Sequence, residues 1–163
     1  MLQTDVDKLM AELGSSLEIE GLRFNHAASC QLVFDQSLVV TIIHDRASGC
    51  ITLNCPVSHA DQFERLNKQT LVAMLQANFM RQGCPNATLS FAEDKRAYLQ
   101  SAIPLSDPSH CNLSGALELL LNQAEVWSER LRQSRELDAL DPPSFSRTDR
   151  HLVEAIARTR QKV

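Results

Sequence analysis

Glycine and aromatic residues are scarce in this chain of 163 residues. There are only five glycines, well separated, and aromatic residues make up 5% of the sequence. A phosphate-binding loop needs clustered glycines so that backbone N–H groups can approach the phosphates. Nucleic-acid-binding surfaces usually join aromatic side chains to an excess of positive charge, whereas the net charge here is −4. The sequence therefore predicts neither a nucleotide-binding loop nor a nucleic-acid partner.

Long apolar runs are also absent. No segment reaches the roughly 18 consecutive apolar residues that a membrane-spanning helix needs. Charged side chains at Asp5, Asp7, Lys8 and Glu12 interrupt the first 13 residues, which breaks the apolar core of a signal peptide. We therefore expect a cytoplasmic protein with no membrane partner.

Motifs for hydrolytic catalysis are missing as well. Neither a G-x-S-x-G turn nor an H-E-x-x-H helix occurs. A zinc site built from His44, Cys50, Cys55 and His59 is conceivable. Cys50 and Cys55, five positions apart on a predicted strand, would point to opposite faces, which suits a tetrahedral site poorly.

The five cysteines are an odd number and include no C-x-x-C pair. In a reducing cytoplasm we expect them to be small buried apolar residues rather than disulfide partners. Cys111 follows His110, but adjacent helical residues do not face each other, so a Cys–His nucleophile is not favoured.

Five segments have the composition of β-strands. The strongest is 38–43, the β-branched run Leu-Val-Val-Thr-Ile-Ile. Apolar residues alternate in 30–34, 51–55 and 87–91, and 98–103 completes the set. Short turns join the first three segments and the last two, which indicates antiparallel hairpins rather than parallel crossovers.

Three segments carry apolar residues at helical spacing. The first runs from a cap at Thr4 to Gly14, and the second from residue 61 or 67 to 81, closed by Gly83. The third begins at residue 107 or 109. Its apolar stripe comprises Leu113, Ala116, Leu117, Leu120, Ala124, Trp127 and Leu131. The predicted fold is α+β, with order α-βββ-α-ββ-α and a twisted antiparallel sheet of about five strands.

The composition changes near Pro142-Pro143, which cannot continue a helix. We expect one domain over 1–137, a linker over 138–147, and an amphipathic tail helix over 148–163 as a C-terminal extension. The tail from residue 144 onward has a net charge of +3, which leaves −7 for the rest of the chain.

Segment 38–43 is apolar on both faces of the predicted strand. An antiparallel sheet with helices on one side should be polar on the other. The second apolar face therefore needs a cover, which is the chain's own elements, a second subunit or a bound peptide.

These features together resemble the class I chaperones of bacterial type III secretion, the Tir-chaperone family. The similar segments are Leu22-Arg23-Phe24-Asn25, 30–35, the leucine-rich 71–79 with its Ala-Asn pair, Gly83, 87–91, Ile103-Pro104-Leu105 and Ala124-Glu125-Val126-Trp127. The resemblance covers about 2–131. Phe79 stands where the family more often has an aliphatic residue.

The resemblance implies a homodimer that binds the N-terminal chaperone-binding region of secreted effector proteins. It implies that the region is kept extended and secretion-competent and is presented to the secretion ATPase, with no catalytic residue and no cofactor. The implied dimer-interface residues are Leu71, Met74, Leu75, Phe79, Leu89 and Tyr98. The implied partner-binding residues are Leu9, Leu13, Leu22, Phe24, Val33, Val39, Thr41 and Ile43.

Two other functions stay open from the sequence. One is a structural or regulatory adaptor of the secretion machine, whose partner would be folded rather than extended. The other is a thiol- or metal-dependent enzyme, which the scattered cysteines and histidines favour least.

Overall fold

A computed structural model describes residues 3–35, 37–59, 68–106 and 111–133. These ranges contain three α-helices, α1 (Gln3–Ser16), α2 (Lys68–Asn78) and α3 (Leu113–Gln133). The same ranges contain five strands, β1 (Ser29–Phe34), β2 (Leu38–Asp45), β3 (Cys50–Pro56), β4 (Thr88–Phe91) and β5 (Ala97–Pro104). The predicted α+β class and element order are confirmed. The predicted linker and tail helix lie outside the described residues.

The five strands form one antiparallel sheet in the order β1-β2-β3-β5-β4. The chain leaves β3, passes through α2 to the outer strand β4, and returns as β5 between β3 and β4. Antiparallel neighbours joined by short turns account for the β1–β2, β2–β3 and β4–β5 pairs. Only the β3–β5 pair joins strands distant in sequence.

The hydrophobic core lies between one face of the sheet and the helices α1 and α3. The buried sheet residues include Val40, Ile42, Ile51, Leu53 and Leu99. The buried residues of α3 are Leu113, Leu117, Leu120, Ala124, Trp127 and Leu131, which confirms the predicted stripe except for the half-buried Ala116. Each buried leucine contributes roughly 1.5–3 kcal/mol relative to exposure.

The prediction that Gly14 ends α1 is wrong. The helix continues to Ser16, and the residue with the left-handed backbone is Glu18, at φ 57°. The Ile19 N–H donates to the Gly14 carbonyl oxygen at 2.8 Å, which closes the helix as a Schellman-type turn. A Cβ on Gly14 would lie 2.8 Å from the Ile19 carbonyl oxygen, so glycine is needed for this close approach.

Helix α2 ends earlier than predicted, at Asn78 rather than residue 81. A short 3-10 turn, Phe79–Arg81, follows, in which Met80 has φ 52°. Gly83 closes the segment as expected, since its N–H donates to the Ala77 carbonyl oxygen at 3.0 Å. The predicted starts at 61 or 67 lie outside the described residues.

Helix α3 begins later than the predicted residue 107 or 109. Asn112 is its cap, because its Oδ1 accepts a hydrogen bond from the Gly115 N–H at 2.8 Å. The start was predicted at Asp107 or Ser109 because aspartate and serine are as common as asparagine at the cap position.

Candidate partner-binding surfaces

The two faces of β2 differ in burial. Val40 and Ile42 are fully buried against the helices, whereas Ile43 on the opposite face is 36% exposed. Val33 of β1 lies opposite Val39 in the strand register and is 63% exposed. We call this surface the open face. It comprises Val33, Val39, Thr41 and Ile43 of β1 and β2, and continues with Thr52 and Asn54 of β3 and Gln100 of β5.

The open face changes character across the sheet. Its β1–β2 side carries three aliphatic side chains, Val33, Val39 and Ile43, while its centre carries Asn54 and Gln100 as register neighbours. The predicted partner-binding residues of the sheet therefore lie together on the apolar half of one surface, where they remain partly or largely exposed.

The outer edge of β1 has no neighbouring strand among the described residues. The His44 N–H donates to the Ala28 carbonyl oxygen at 2.9 Å, which makes these two residues a hydrogen-bonded pair. In an antiparallel ladder every second residue of β1 then bonds to β2, and the residues between point their backbone groups outward. That alternation directs the backbone N–H and C=O groups of Gln31 and Val33 away from β2. No described strand lies on that side of β1.

The start of the β1 edge is closed by the chain itself. The Asn25 N–H donates to the Ser29 carbonyl oxygen at 2.8 Å, and the Ser29 N–H donates to Asn25 Oδ1 at 3.1 Å. The available edge is therefore short and centred on Gln31 and Val33.

The opposite edge of the sheet, at β4, is blocked by a side chain. Asn78 Nδ2 donates to the Leu89 carbonyl oxygen at 2.9 Å, and the Leu89 N–H donates to Asn78 Oδ1 at 2.8 Å. The amide of Asn78 thus occupies both outward backbone groups of Leu89, as a neighbouring strand would. The Ala-Asn pair carries part of the family resemblance in the sequence, but the hydrogen bonds of Asn78 are visible only in the structure.

Helix α2 presents a second apolar surface, which we call the α2 surface. It comprises Leu71 (38% exposed), Val72 (40%), Leu75 (70%), Phe79 (52%) and Met80 (59%). Five large apolar side chains exposed on α2 and the 3-10 turn after it are unusual for a surface that meets only water. Val72 is not among the residues predicted from the sequence, and neither is Met80, whose left-handed backbone sequence periodicity does not reveal.

Other predicted dimer-interface residues lie elsewhere. Met74 (4% exposed) belongs to the buried side of α2, and Leu89 (5%) is a core residue of β4. Met74 thus faces the core, whereas Leu71 and Leu75 of the same helix are exposed. Tyr98 is half-buried, and its hydroxyl donates to Asp94 Oδ2 at 2.6 Å.

The predicted partner-binding residues of the first segment are divided by burial. Leu9 (5% exposed) and Leu13 (1%) lie in the core and offer no surface for a partner. Leu22 and Phe24 are half-buried and pack against the core. The ring of Phe24 lies 5.9 Å from that of His44.

Thiol and metal chemistry finds little support in the described part of the chain. Burial raises the pKa of the Cys55 and Cys84 thiols to about 11, so both are poor nucleophiles near neutral pH. Burial also raises the pKa of Cys30 and Cys111. Within the described ranges, no group of three or more histidine, cysteine, aspartate or glutamate residues is arranged to hold a metal ion.

None of the helices described here has the length and apolar character to cross a membrane.

The family model of the Tir chaperone protein (CesT) family matches residues 8–128. The chain belongs to the Tir chaperone family. The resemblance found in the sequence is thereby confirmed for its shared region, whereas residues 129–163 lie beyond the match. No curated protein sequence is similar to this Tir chaperone family member at a significant level.

Solved structures share the fold of this Tir chaperone family member. A chain of the ExsC–ExsE complex is 21% identical, with 80% of this chain and 96% of that chain covered and a TM-score of 0.67. A chain of the HopA1–SchA chaperone–effector complex is 16% identical, with coverages of 84% and 99% and a TM-score of 0.60. A chain of the complex between the Yersinia pestis type III secretion chaperone SycH and a stable fragment of YscM2 is 16% identical. The match covers 74% of this chain and 98% of that chain, with a TM-score of 0.57.

Proposed function

We propose that this chain is a dimeric chaperone of the bacterial cytoplasm that binds the N-terminal chaperone-binding region of type III secreted effector proteins. The observation that carries the proposal is the apolar half of the open face, which adjoins a strand edge that no described strand pairs with. Val33 links the two features, because its side chain is 63% exposed and its backbone groups point away from β2.

An extended guest segment fits this arrangement. Its backbone would pair with the outward N–H and C=O groups of Gln31 and Val33. Alternate guest side chains would then lie over the open face near Val39 and Ile43. The guest would be held as a strand, which prevents premature folding without any chemical step.

A second subunit would lengthen the path along which the guest is bound. The available edge spans only a few residues, and ordering a disordered segment costs conformational entropy. Two copies provide two edges, and the second contact is then intramolecular. We propose that the α2 surface forms the dimer interface, because Leu75 and Phe79 are exposed there with no role in the core.

The dimer is tested by measuring the particle mass in solution. Sedimentation or light scattering of the wild-type chain should give twice 18.2 kDa. Leu75→Arg places a charge on the α2 surface and should shift the mass to that of one chain. Val126→Arg, at a 50% exposed position of α3, is the matched control and should stay dimeric. A wild-type monomer at micromolar concentration would refute this part of the proposal.

The guest-binding edge is tested with Val33→Pro. Proline removes the outward N–H of Val33, which β2 does not use, so the sheet should still form. Val33→Thr keeps both the N–H and the β-branched shape and is the control. Each variant is used to capture partners from the bacterium that makes this protein. We expect Val33→Pro to capture at least tenfold less guest than the wild-type chain, and Val33→Thr to capture as much. Equal capture by both variants would contradict edge pairing.

Limited proteolysis of the captured complex separates the chaperone from an adaptor. A chaperoned guest should leave a short protected segment that is disordered when isolated. A protected folded domain would instead favour a structural or regulatory adaptor of the secretion machine.

We further propose that the protein acts without enzymatic activity and hands its guest to the secretion ATPase. Buried thiols with a raised pKa, such as Cys55, support the first point. The handover is tested by measuring how tightly the chaperone binds the purified secretion ATPase in its guest-loaded and its guest-free form.

A further inference from the structure

A groove of about 380 Å³ lies at the carboxyl end of α1. It is lined by Ala11, Gly14, Ser15 and residues 18–22. Ile19 is 40% exposed beside it, and Leu22 is half-buried with one side against the core. Glu18 and Glu20 are exposed lining residues, and none of the described residues that line the groove is basic. The groove thus combines an apolar floor with an acidic rim.

We propose that the C-terminal segment 148–161 of the same chain docks in this acidic groove. The segment carries Leu152, Val153 and Ile156 within five positions, which would meet Ile19 and Leu22. Arg160 is four positions after Ile156, on the same side of the predicted tail helix, and would face the carboxylates of Glu18 and Glu20. Such pairs at a partly exposed rim add modest energy but set the orientation of docking.

The reach of the chain permits this docking. Ser16 Oγ lies 2.8 Å from Ser114 Oγ, so the groove is near the start of α3. The end of α3 lies roughly 30 Å away, because a 21-residue helix rises about 1.5 Å per residue. Residues 134–147 can span about 45 Å when extended. The pair Pro142-Pro143 in this stretch favours an extended backbone.

A second groove, of about 460 Å³, lies between α3 and the ends of β4 and β5. Among the described residues that line it, Arg81 alone is charged, and it would repel a segment of net positive charge. Charge therefore selects the acidic groove over this one. Because 129–163 lie beyond the family match, the docked segment would be a feature that this chain adds to the shared fold.

Zero-length cross-linking tests the proposal directly. Carbodiimide joins a lysine amine to a carboxylate only when the two are in contact, and Lys162 is the only lysine after residue 133. In the full-length chain we expect peptides that link Lys162 to Glu18 or Glu20. Chains labelled with ¹⁴N and ¹⁵N are refolded together, and the linked peptides should carry one isotope only. Mixed-isotope links would assign the groove to a second copy and overturn the proposal, as would the absence of such links.

Hydrogen exchange of residues 11–22 gives an independent measurement. Leu152→Asp with Ile156→Asp should speed exchange there several-fold and reduce the cross-links about tenfold. Ser144→Asp with Ser146→Asp introduces the same two negative charges before the segment and outside its apolar stripe, and should change neither. Reversal of Glu18 and Glu20 to lysine should also speed exchange, and adding Arg160→Glu should slow it again. Unchanged exchange in the first double variant would overturn the proposal.

All of these measurements use the chain without a guest, so the outcome does not depend on the function proposed above. The substituted tail residues lie outside the described core, and the fluorescence of Trp127 reports that the fold is retained.

Discussion

At the scale of single residues, Asn78 holds two backbone groups of Leu89 and closes one edge of the sheet. The side chain lies at the end of α2 and reaches the middle of β4. It therefore fixes the distance between these two elements. Removing it leaves a partly buried N–H and C=O without their partner, which costs more than the loss of an exposed hydrogen bond.

Asn78→Ala should lower the free energy of unfolding by roughly 1–3 kcal/mol. Urea unfolding followed by the fluorescence of Trp127, the only tryptophan, measures the change at fixed protein concentration. Asn122→Ala, at an exposed site on α3, is the control and should fall within about 0.5 kcal/mol of wild type. Equal effects of the two variants would contradict the role of Asn78.

Tyr98 and Asp94 form a second residue-scale feature, in the turn between β4 and β5. The hydrogen bond to Asp94 raises the pKa of Tyr98, because ionisation removes the donor and places two negative charges together. Tyr98 is the only tyrosine, so an absorbance titration reports on it alone. We expect a midpoint above about 10, lowered by Asp94→Asn but not by the control Asp35→Asn. An unchanged midpoint in Asp94→Asn would refute the assignment.

The same hydrogen bond makes stability depend on pH at both extremes. It lowers the pKa of Asp94 below the ordinary carboxyl pKa of about 3.9. Its contribution to the free energy of unfolding is therefore present above that ordinary pKa and is lost as the pH falls through the lowered pKa of Asp94. The contribution through Tyr98 is present below about 10 and is lost as pH rises through its raised pKa. Tyr98→Phe should therefore narrow the difference in melting temperature between neutral and extreme pH.

At the scale of elements, α3 is the main cover of the sheet. Its stripe, from Leu113 to Leu131, packs against β3 and β5. Trp127 Nε1 also donates to the Gly83 carbonyl oxygen at 3.3 Å, which ties α3 to the segment after α2. Arg130 lies over the Trp127 ring at 5.2 Å. Helix α3 thus connects the sheet to the segment that follows α2.

Leu120→Ala should destabilise the protein by about 2–5 kcal/mol, because it leaves a cavity between α3 and the sheet. Leu120 is 1% exposed. Val126→Ala, on the exposed side of the same helix, should cost less than about 1 kcal/mol. Chemical denaturation measures both changes. Comparable losses would mean that Val126 is covered in solution.

At the scale of the whole molecule, the helices cover one face of the sheet while the open face and the α2 surface keep large apolar side chains exposed. The two surfaces suit different tasks. The open face adjoins the outer edge of β1, which no described strand covers and which suits an extended guest. The α2 surface lies on a helix whose end is fixed by Asn78, which suits a rigid subunit contact.

Thiol labelling tests whether the core opens as one unit. At pH 8, a pKa of about 11 leaves roughly one thousandth of Cys55 and Cys84 as thiolate. Both should therefore react with iodoacetamide only as fast as the molecule unfolds. The half-buried Cys50 is the internal reference and should react first. Rapid native-state labelling of Cys84 would indicate local opening around Trp127.

The order of helices and strands was predictable from the sequence because each element has its own apolar period. The run 38–43 could only be a strand, and the α3 stripe could only face a core. The candidate sites were predictable in part. Val33, Ile43, Leu71, Leu75 and Phe79 are exposed, as an interface requires. The roles assigned to them remain predictions.

The sequence by itself determined which elements form, their order and the family to which the chain belongs. Only the tertiary structure decided which face of each element is covered. It buried Leu9, Leu13, Met74 and Leu89 and left Leu75 and Val33 exposed, although all six are large and apolar. The physical reason is that periodicity gives the spacing of an apolar face, whereas burial depends on what packs against that face from elsewhere in the chain.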